Sequence, residues 1–571
     1  MKTLNKIVLG TLSLCTLLFA SCDNFLNQDV PQATLNEEQV RDPQLIDNLV
    51  ISAYAIFISA EDINSSFSMW NFDVRSDDAY KGGNGTSDGD VFHQLEISKG
   101  ILTTNWNIND MWSRLYNCLS RVNAAIDALN RMDDSYTMKS QRLGEMYFLR
   151  AYGHFLLKRL YKNIPFVVAP NMSPDEYNTI SNTAYTNNEG WGVIITDLEN
   201  AYKVLPVTQK DKGRPTKAAA AALMAKTYLY KAYRQDNPAS HKVTEINTED
   251  LQKVVFYTDP AIYAGYGLDP DFHNNFRPEP QYENGVESIW AMQYSMNDGT
   301  KNGNLNWAYG LIVPNIPGVT DGGCDFYKPS QNLVNAFHTD DAGLPLENFN
   351  QKDFNAATDN ADPRLWLTIG IPGFPYMFNP NYIMQKTQTW SRSNGLYGYY
   401  VTLKHNVDPD SEYLIKGAWW GSPMNRIVLR YADVLLMRAE ALAQLGQDGE
   451  AIELVNQIRR RAAQSVSAIS GYDVKYGAKI LVRPYTDATD ALKRVKMERR
   501  LELALESERF FDLVRWGEAE KVINTYYAEE ADNCNIYSEG HFTADKNEYL
   551  PIPYEQIAAS NGNYTQNIGG W

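Results

Sequence analysis

Apolar residues recur at steps of three and four along several stretches of this chain, the spacing that gathers them on one face of an α-helix. Pro43 to Ala60 is the first such stretch, and from Trp112 the positions Leu115, Leu119, Val122, Ile126 and Leu129 mark an amphipathic helix. Others follow at Ser140 to Tyr161, closed by Asn163 and Pro165, and from near Trp191 to just before Pro206. A further helix over Lys217 to Tyr233 begins after Thr216, a suitable N-cap. Its stripe of Ala218, Ala222, Ala225, Leu229 and Ala232 is mostly small, which lets neighbouring helices approach closely.

From Gln235 to about Met424 the pattern changes to Asn, Gly, Pro and aromatic residues with few sustained helical stripes. Irregular segments on that scale inside a compact protein are usually functional. Helical periodicity returns at Arg430 to Leu445 and again from Gly446; this pair, with Gly446 at the turn and Ala451 opening the second helix, resembles a tetratricopeptide repeat. Ala491 to Trp516 contains no Gly or Pro and predicts one long helix. Met497, Leu501 and Leu505 share one row while Leu503, Phe510 and Val514 point elsewhere, so this helix is expected to be buried nearly all round, as the element the chain packs about. Helical spacing offers its charges partners in Glu502–Arg499, Glu506–Arg509 and Asp512–Arg515. Glu508 and Asp512 also have the spacing of a general acid/base pair. Charges interleaved with buried apolar residues need neutralising in any case, so structural ion pairs are the reading adopted. The chain closes in an extended segment stiffened by Pro551 and Pro553.

At the other end, Lys2 and Lys6 precede an apolar run from Ile7 to Phe19, followed by Ala20, Ser21 and Cys22. That order is a secretory signal, and the run is too short for a comfortable membrane span. Cys22 directly after the small residues is similar to a bacterial lipoprotein signal, with Cys22 lipidated as the mature N-terminus; Phe19 departs from the Leu such signals usually carry. The mature protein is therefore expected to be anchored to lipid, not inserted. The chain divides into a signal peptide (1–21), a lipidated tether (22–42), an N-terminal helical part (43–234), an insertion expected to bind ligand (235–428) and a C-terminal helical part with the central helix and the tail (429–571).

A net charge of −17 speaks against nucleic acid as a partner, because the summed field repels it. The 36 Tyr, 12 Trp and 21 Phe exceed what a helical core needs, and many fall in Gly/Asn/Pro-rich segments where rings often serve ligands. Cys15, Cys22, Cys118, Cys324 and Cys534 have no CxxC spacing, against a disulfide framework or zinc site. Seven histidines show no HExxH, and His154 on a helical stripe reads as a core residue. No GxSxG and no phosphate-cradling lysine motif appears, so neither a catalytic residue nor a cofactor is assigned. The acids between Met69 and Asp90 suit Ca²⁺ in type but not in EF-hand order, so the stretch reads as a solvated or ligand-facing loop and no metal is assigned.

Several ordered blocks resemble the SusD/RagB family of outer-membrane nutrient-binding lipoproteins. They are FLNQDVP after Cys22, RAYGHFLLKRLYKNIPF at Arg150, GRPTKAAAAALMAKTYLY at Gly213, PSQNLVNAF at Pro329, DPRL at Asp362, RYADVLLMRAEAL at Arg430, ERRLELALESERFFDLVRWG at Glu498 and YLPIPYEQI at Tyr549. The resemblance implies a mainly α fold, in which tetratricopeptide-like helix pairs form a right-handed superhelical scaffold carrying a long, irregular, aromatic-rich insertion. It also implies a lipid-anchored, surface-exposed place at the outer membrane, a SusC-like TonB-dependent transporter as partner, and glycan binding without cleavage.

The shared blocks do not identify ligand-contacting residues, so these are sought in side-chain chemistry. A sugar offers C–H groups on its face, which suit an aromatic ring, and hydroxyls on its edge, which suit Asp, Asn and Arg. The best local combinations are Arg75, Asp78 and Tyr80 with Trp106, then Trp307 with Tyr309, and Trp390 with Arg392 and Tyr397; Trp419 and Trp420 stand just before the returning helix. Trp390, in a Ser/Asn/Gly-rich stretch without a helical stripe, is the preferred stacking ring. A glycoside hydrolase with two facing carboxylates, or a binder of peptides or another nutrient, are the alternatives.

Overall fold

The structure is a computed structural model and describes residues 42–58, 72–172, 174–300, 303–307, 309–387, 389–416 and 420–571. The expected signal (1–21), Cys22 and Trp419 lie outside the described residues.

The chain is mainly helical. Helices α1 (Pro43–Ile58), α2 (Trp106–Arg131), α3 (Lys139–Tyr161), α4 (Asn187–Val204), α5 (Lys217–Ala232) and α6 (Thr248–Tyr257) each pack on the next. The stack then skips to α7 (Tyr431–Gln444), which lies directly against α6 and continues into α8 (Asp448–Gln464) and α9 (Ala491–Glu502). The result is a tetratricopeptide-like scaffold. Caps fall where the sequence provides them: Thr216 accepts the Ala219 N–H at 3.3 Å, and Thr186 with Glu189 forms a reciprocal capping box. The small stripe of α5 is fully buried between its neighbours. Helix α6 stands inside the stretch read from sequence as irregular. It has Asn247 as cap and only Leu251 and Val254 as fully buried apolar anchors, too few for its period to stand out.

Between α6 and α7 the chain leaves the stack and forms short strands and single helical turns. Two antiparallel pairings tie it back. Strand β1 (Ala79–Gly82) pairs with β3 (Phe326–Pro329), and β2 (Ser288–Met292) pairs with β4 (Arg426–Arg430), which leads straight into α7.

The central helix is not continuous. After α9 the chain turns at residues 503–508, with Leu505 at φ 61° and Ser507 at φ 71°, and helix resumes as α10 (Arg509–Trp516), followed by α11 (Ala519–Glu530). Left-handed backbone at a non-glycine residue costs about 1–2 kcal/mol, so something must offset a break in so strong a helix-forming sequence. Side chains from elsewhere take over the backbone groups the helix releases. Arg430 and Lys404 donate to the Glu502 carbonyl at 2.8 and 3.1 Å, His405 Nε2 lies 2.6 Å from the Leu505 carbonyl, and the Ser507 N–H donates to Asp73 at 2.7 Å.

The break also redirects the acids. Glu502, fully buried, meets Arg364 at 2.8 Å, Arg430 at 2.6 Å, and Arg461, in place of Arg499. Glu506 meets Lys404 at 2.6 Å and Arg430 at 2.8 Å, in place of Arg509, whose partner is Asp77 at 2.8 Å. Asp512 keeps Arg515, at 2.8 Å, and adds Arg499 at 3.0 Å. Glu508 is held by Lys226 at 3.0 Å and Arg159 at 3.3 Å, so both carboxylates of the i, i+4 pair are committed to structural cations.

These pairs give the fold a pH signature. Burial opposes ionisation of Glu440 and Glu502, but Arg515 outweighs it at Glu440, held at about 2, and Arg461, Arg430 and Arg364 outweigh it at Glu502, held well below the ordinary 4.5. Carboxyls depressed in the folded state stabilise it above their unfolded value, and that stability is lost as pH falls through the folded one. Burial instead raises Asp73, Glu283, Glu530 and Glu548 to about 7, a penalty relieved as pH drops below 7. Burial also lowers His154 and His241 to about 3 and His273 and His405 to about 4, which removes stability as pH falls below the ordinary histidine value of 6.5 and offsets that relief. Denaturant unfolding across pH is therefore expected to show its steep loss below about pH 4.5, where the depressed carboxyls take up protons in the unfolded chain. Stability unchanged between about pH 5 and 3 would contradict this reading.

Candidate functional site

Six of the nine residues proposed from sequence as ligand contacts are built into the interior. Arg75 donates to the Asn547 carbonyl at 2.8 Å and lies 4.0 Å above the Phe510 ring, and burial lowers it to about 9. Asp78 is paired with Arg500 at 2.8 Å. Tyr80 donates to Glu530 and accepts the Gln331 N–H at 2.9 Å. Tyr309 donates to the Val407 carbonyl at 3.2 Å, and Tyr397 to Glu96 at 3.3 Å. Trp390 is 6% exposed, edge-on to Tyr376 at 5.8 Å in a satellite core with Ile316, Met384, Val401 and Leu403. The polar stretch around Trp390 folds over it, so the absence of a helical stripe did not mean an open ring. Trp420 is buried too, its indole N–H donating to the Asp321 carbonyl at 3.2 Å.

Trp106, Arg392 and Trp307 remain at the surface, and a chain of contacts links them. Trp106 opens α2 with 53% of its surface exposed, its ring edge-on to Phe92 at 5.6 Å. Phe92 lies on the short helix Asp90–Glu96 that follows the loop 83–89. On that loop Asp88 meets Arg392 at 3.3 Å, with the two side chains 34% and 31% exposed. Arg392 also donates to the Cys324 carbonyl at 3.3 Å. From there Cys324 bonds to Gly310 and Gly310 to the Trp420 carbonyl, at 3.0 and 3.1 Å. Trp307, half-buried, covers Gly421: a Cβ there would stand 2.9 Å from its ring.

This face is held rigid from beneath. Lys81 is fully buried at the end of β1, and its ammonium donates to the carbonyls of Gly82, Gly85 and Asp88 at 2.9, 3.0 and 2.8 Å. One side chain thus closes the whole loop. Burial lowers the Lys81 pKa while Glu96 and Asp88 oppose the shift. At Gly82, with φ 76°, a Cβ would lie 2.5 Å from the Asp325 carbonyl, so the close approach to β3 requires glycine. Asp325, buried and paired with Lys328 at 2.8 Å, accepts the Arg392 N–H at 3.0 Å. Lys81 was not singled out from sequence, and Asp88 was weighed only among the acids of the loop; a lysine running directly into GGNG, with an acid at the far end of the loop, was the available signal.

The chemistry offered is an exposed indole, a half-buried one, and a partly exposed guanidinium–carboxylate pair, joined by the contacts above. Among the described residues no group of three or more His, Cys, Asp or Glu is arranged to hold a metal. Nor, among them, is any helix long and apolar enough to cross a membrane. A separate groove of about 740 Å³ runs between α9, α11 and the segment 340–349. Its lining mixes charged side chains with the rings of Phe349, Tyr485, Trp516 and Tyr526 and the aliphatic Leu344, Met497 and Val522, and two of its ion pairs, Lys493–Glu347 and Lys496–Glu518, close at 2.8 and 2.6 Å. None of the nine sequence-derived residues lines it.

Residues 286–571 match the family model described as "SusD family", and residues 24–229 match one described as "Starch-binding associating with outer membrane". SusD-like protein P2 of Formosa agariphila is 25% identical over 485 residues, 81% of each chain. A SusD superfamily protein from Bacteroides vulgatus superposes with a TM-score of 0.68 at 21% identity, covering 93% of this chain and 99% of that one. Surface glycan-binding protein A from Bacteroides thetaiotaomicron, solved in complex with laminarihexaose, superposes with a TM-score of 0.64 at 20% identity, covering 92% and 99%.

Because Trp390 fills a small core, Trp390→Ala is expected to lower the unfolding free energy by about 3–5 kcal/mol. Denaturant titration checks this; unchanged stability would return the ring to the list of ligand contacts.

Proposed function

The chain belongs to the SusD family, and on that premise we propose that it binds glycans at the cell surface and passes them, uncleaved, to a TonB-dependent outer-membrane transporter. The family is associated with the outer membrane and with starch binding. The observation that carries the reading for this chain is the exposed ring of Trp106 on a rigid pedestal, linked through Asp88 to Arg392. An indole face takes the C–H side of a sugar, while a guanidinium and a carboxylate take hydroxyls on its edge. A firm surface favours such a ligand, and the Lys81-closed loop leaves little ordering to lose on binding. We assign Trp106, Arg392 and Trp307 to the site, with Asp88 orienting Arg392.

The reading is tested by calorimetric titration with starch and laminarin, together with analysis of the sugars left in solution. Trp106→Ala and Arg392→Ala are each expected to weaken binding by about 1–3 kcal/mol at unchanged melting temperature, with no shortened products. Unaltered affinity in both variants would remove the site from this face, and release of oligosaccharides would make the protein a hydrolase.

We further propose that Cys22 carries the lipid that holds the protein at the membrane. Cys22→Ala is expected to abolish incorporation of a labelled palmitate and release the protein from membranes prepared without the transporter. Retained label in that variant would refute the anchor.

A further inference from the structure

The tail beyond α11 returns to the N-terminal helices and runs beside Trp106. The Tyr554 N–H donates to the Thr103 carbonyl at 3.0 Å, and Gln556 donates from its side-chain amide to Asn109 Oδ1 at 2.9 Å, with Ser113 Oγ at 3.5 Å. The turn Tyr554–Ala559 packs against α2. Trp106, Asn109 and Ser113 stand at i, i+3 and i+7, on one stripe of that helix. Tyr554 is 59% exposed and Leu102, beside Thr103, is 58% exposed.

Scattered apolar residues at a surface need no explanation, but these are two rings on segments fastened together through a pair of partly exposed side-chain amides. A purely apolar patch would suit a protein partner. Rings interleaved with an Asn–Gln pair and a serine hydroxyl instead match a chain of sugars, which alternates C–H faces with hydroxyl edges. We propose that the C-terminal tail completes an extended glycan subsite beside Trp106, in which Tyr554 is the second stacking ring and Gln556 and Asn109 take hydroxyls. This inference rests on the glycan-binding reading and sharpens it: the ligand is a sugar chain that engages Trp106 and the tail together.

The test compares wild type with Trp106→Ala, Tyr554→Ala and Gln556→Ala in calorimetric titrations against laminarihexaose and maltohexaose, and against laminaribiose and maltose. Tyr554 is exposed, so its variant should melt with the wild type. Tyr554→Ala is expected to weaken the bound hexasaccharide about tenfold and the matching disaccharide by less than about twofold, whereas Trp106→Ala weakens both. Gln556→Ala should follow Tyr554→Ala in direction. If Tyr554→Ala and Gln556→Ala bind the hexasaccharide as the wild type does while Trp106→Ala loses it, the tail subsite is refuted and the Trp106 site stands. If Trp106→Ala also binds as the wild type, or the wild type binds none of the four sugars, the glycan-binding reading falls and the subsite with it.

Discussion

Glu498 and Glu502, one turn apart on α9, are the charges around which the structure is arranged. Both are fully buried, and the guanidiniums that neutralise them come from different parts of the chain. Arg364, which bridges both acids and also holds Asp362 at 2.7 Å, belongs to the segment outside the helical stack. Arg430 stands where β4 enters α7, and Arg459 and Arg461 lie on α8. A buried ion pair contributes little net stability compared with an apolar replacement of the same shape, but removing one member leaves a charge with no solvent and is costly. The network therefore acts on specificity: it admits one register between the inserted segment and the stack.

The same hub reaches the candidate site. Arg500 and Arg509, on either side of the helix break, bind Asp77 at 3.1 and 2.8 Å, and Arg500 also binds Asp78, immediately before β1. At the far end of β1, Lys81 closes the loop that carries Asp88 and supports Phe92 against Trp106. The exposed groups are a ring, a guanidinium and a carboxylate. Their firmness comes from charges buried beneath them.

Helices with a long apolar stripe were legible in the sequence, as was the Thr216 cap, because both depend on neighbours within a turn or two. The break at residues 503–508 was not: nothing local in LELALESER disfavours helix, and the groups that offset the break are Arg430, Lys404, His405 and Asp73, remote in sequence. The same limit governed the site. Trp106, Trp390 and Tyr309 look alike as rings in irregular or element-terminal settings, yet only Trp106 stands open, because burial of the other two is decided by Tyr376, Val407 and their neighbours. Arg392 and Trp307, singled out by residue type, do stay partly exposed. Lys81 was missed because its work is done on backbone carbonyls, which carry no side-chain signature.

If Glu502 fixes the segment between α6 and α7 to the stack, Glu502→Ala loosens that segment first, which denaturant unfolding combined with amide hydrogen exchange can read. A loss of about 3–5 kcal/mol is expected, with protection lost around Arg364 and along β4 before α2 to α5 open. Unfolding free energy within about 0.5 kcal/mol of the wild type, with exchange at Arg364 and β4 unchanged, would contradict it.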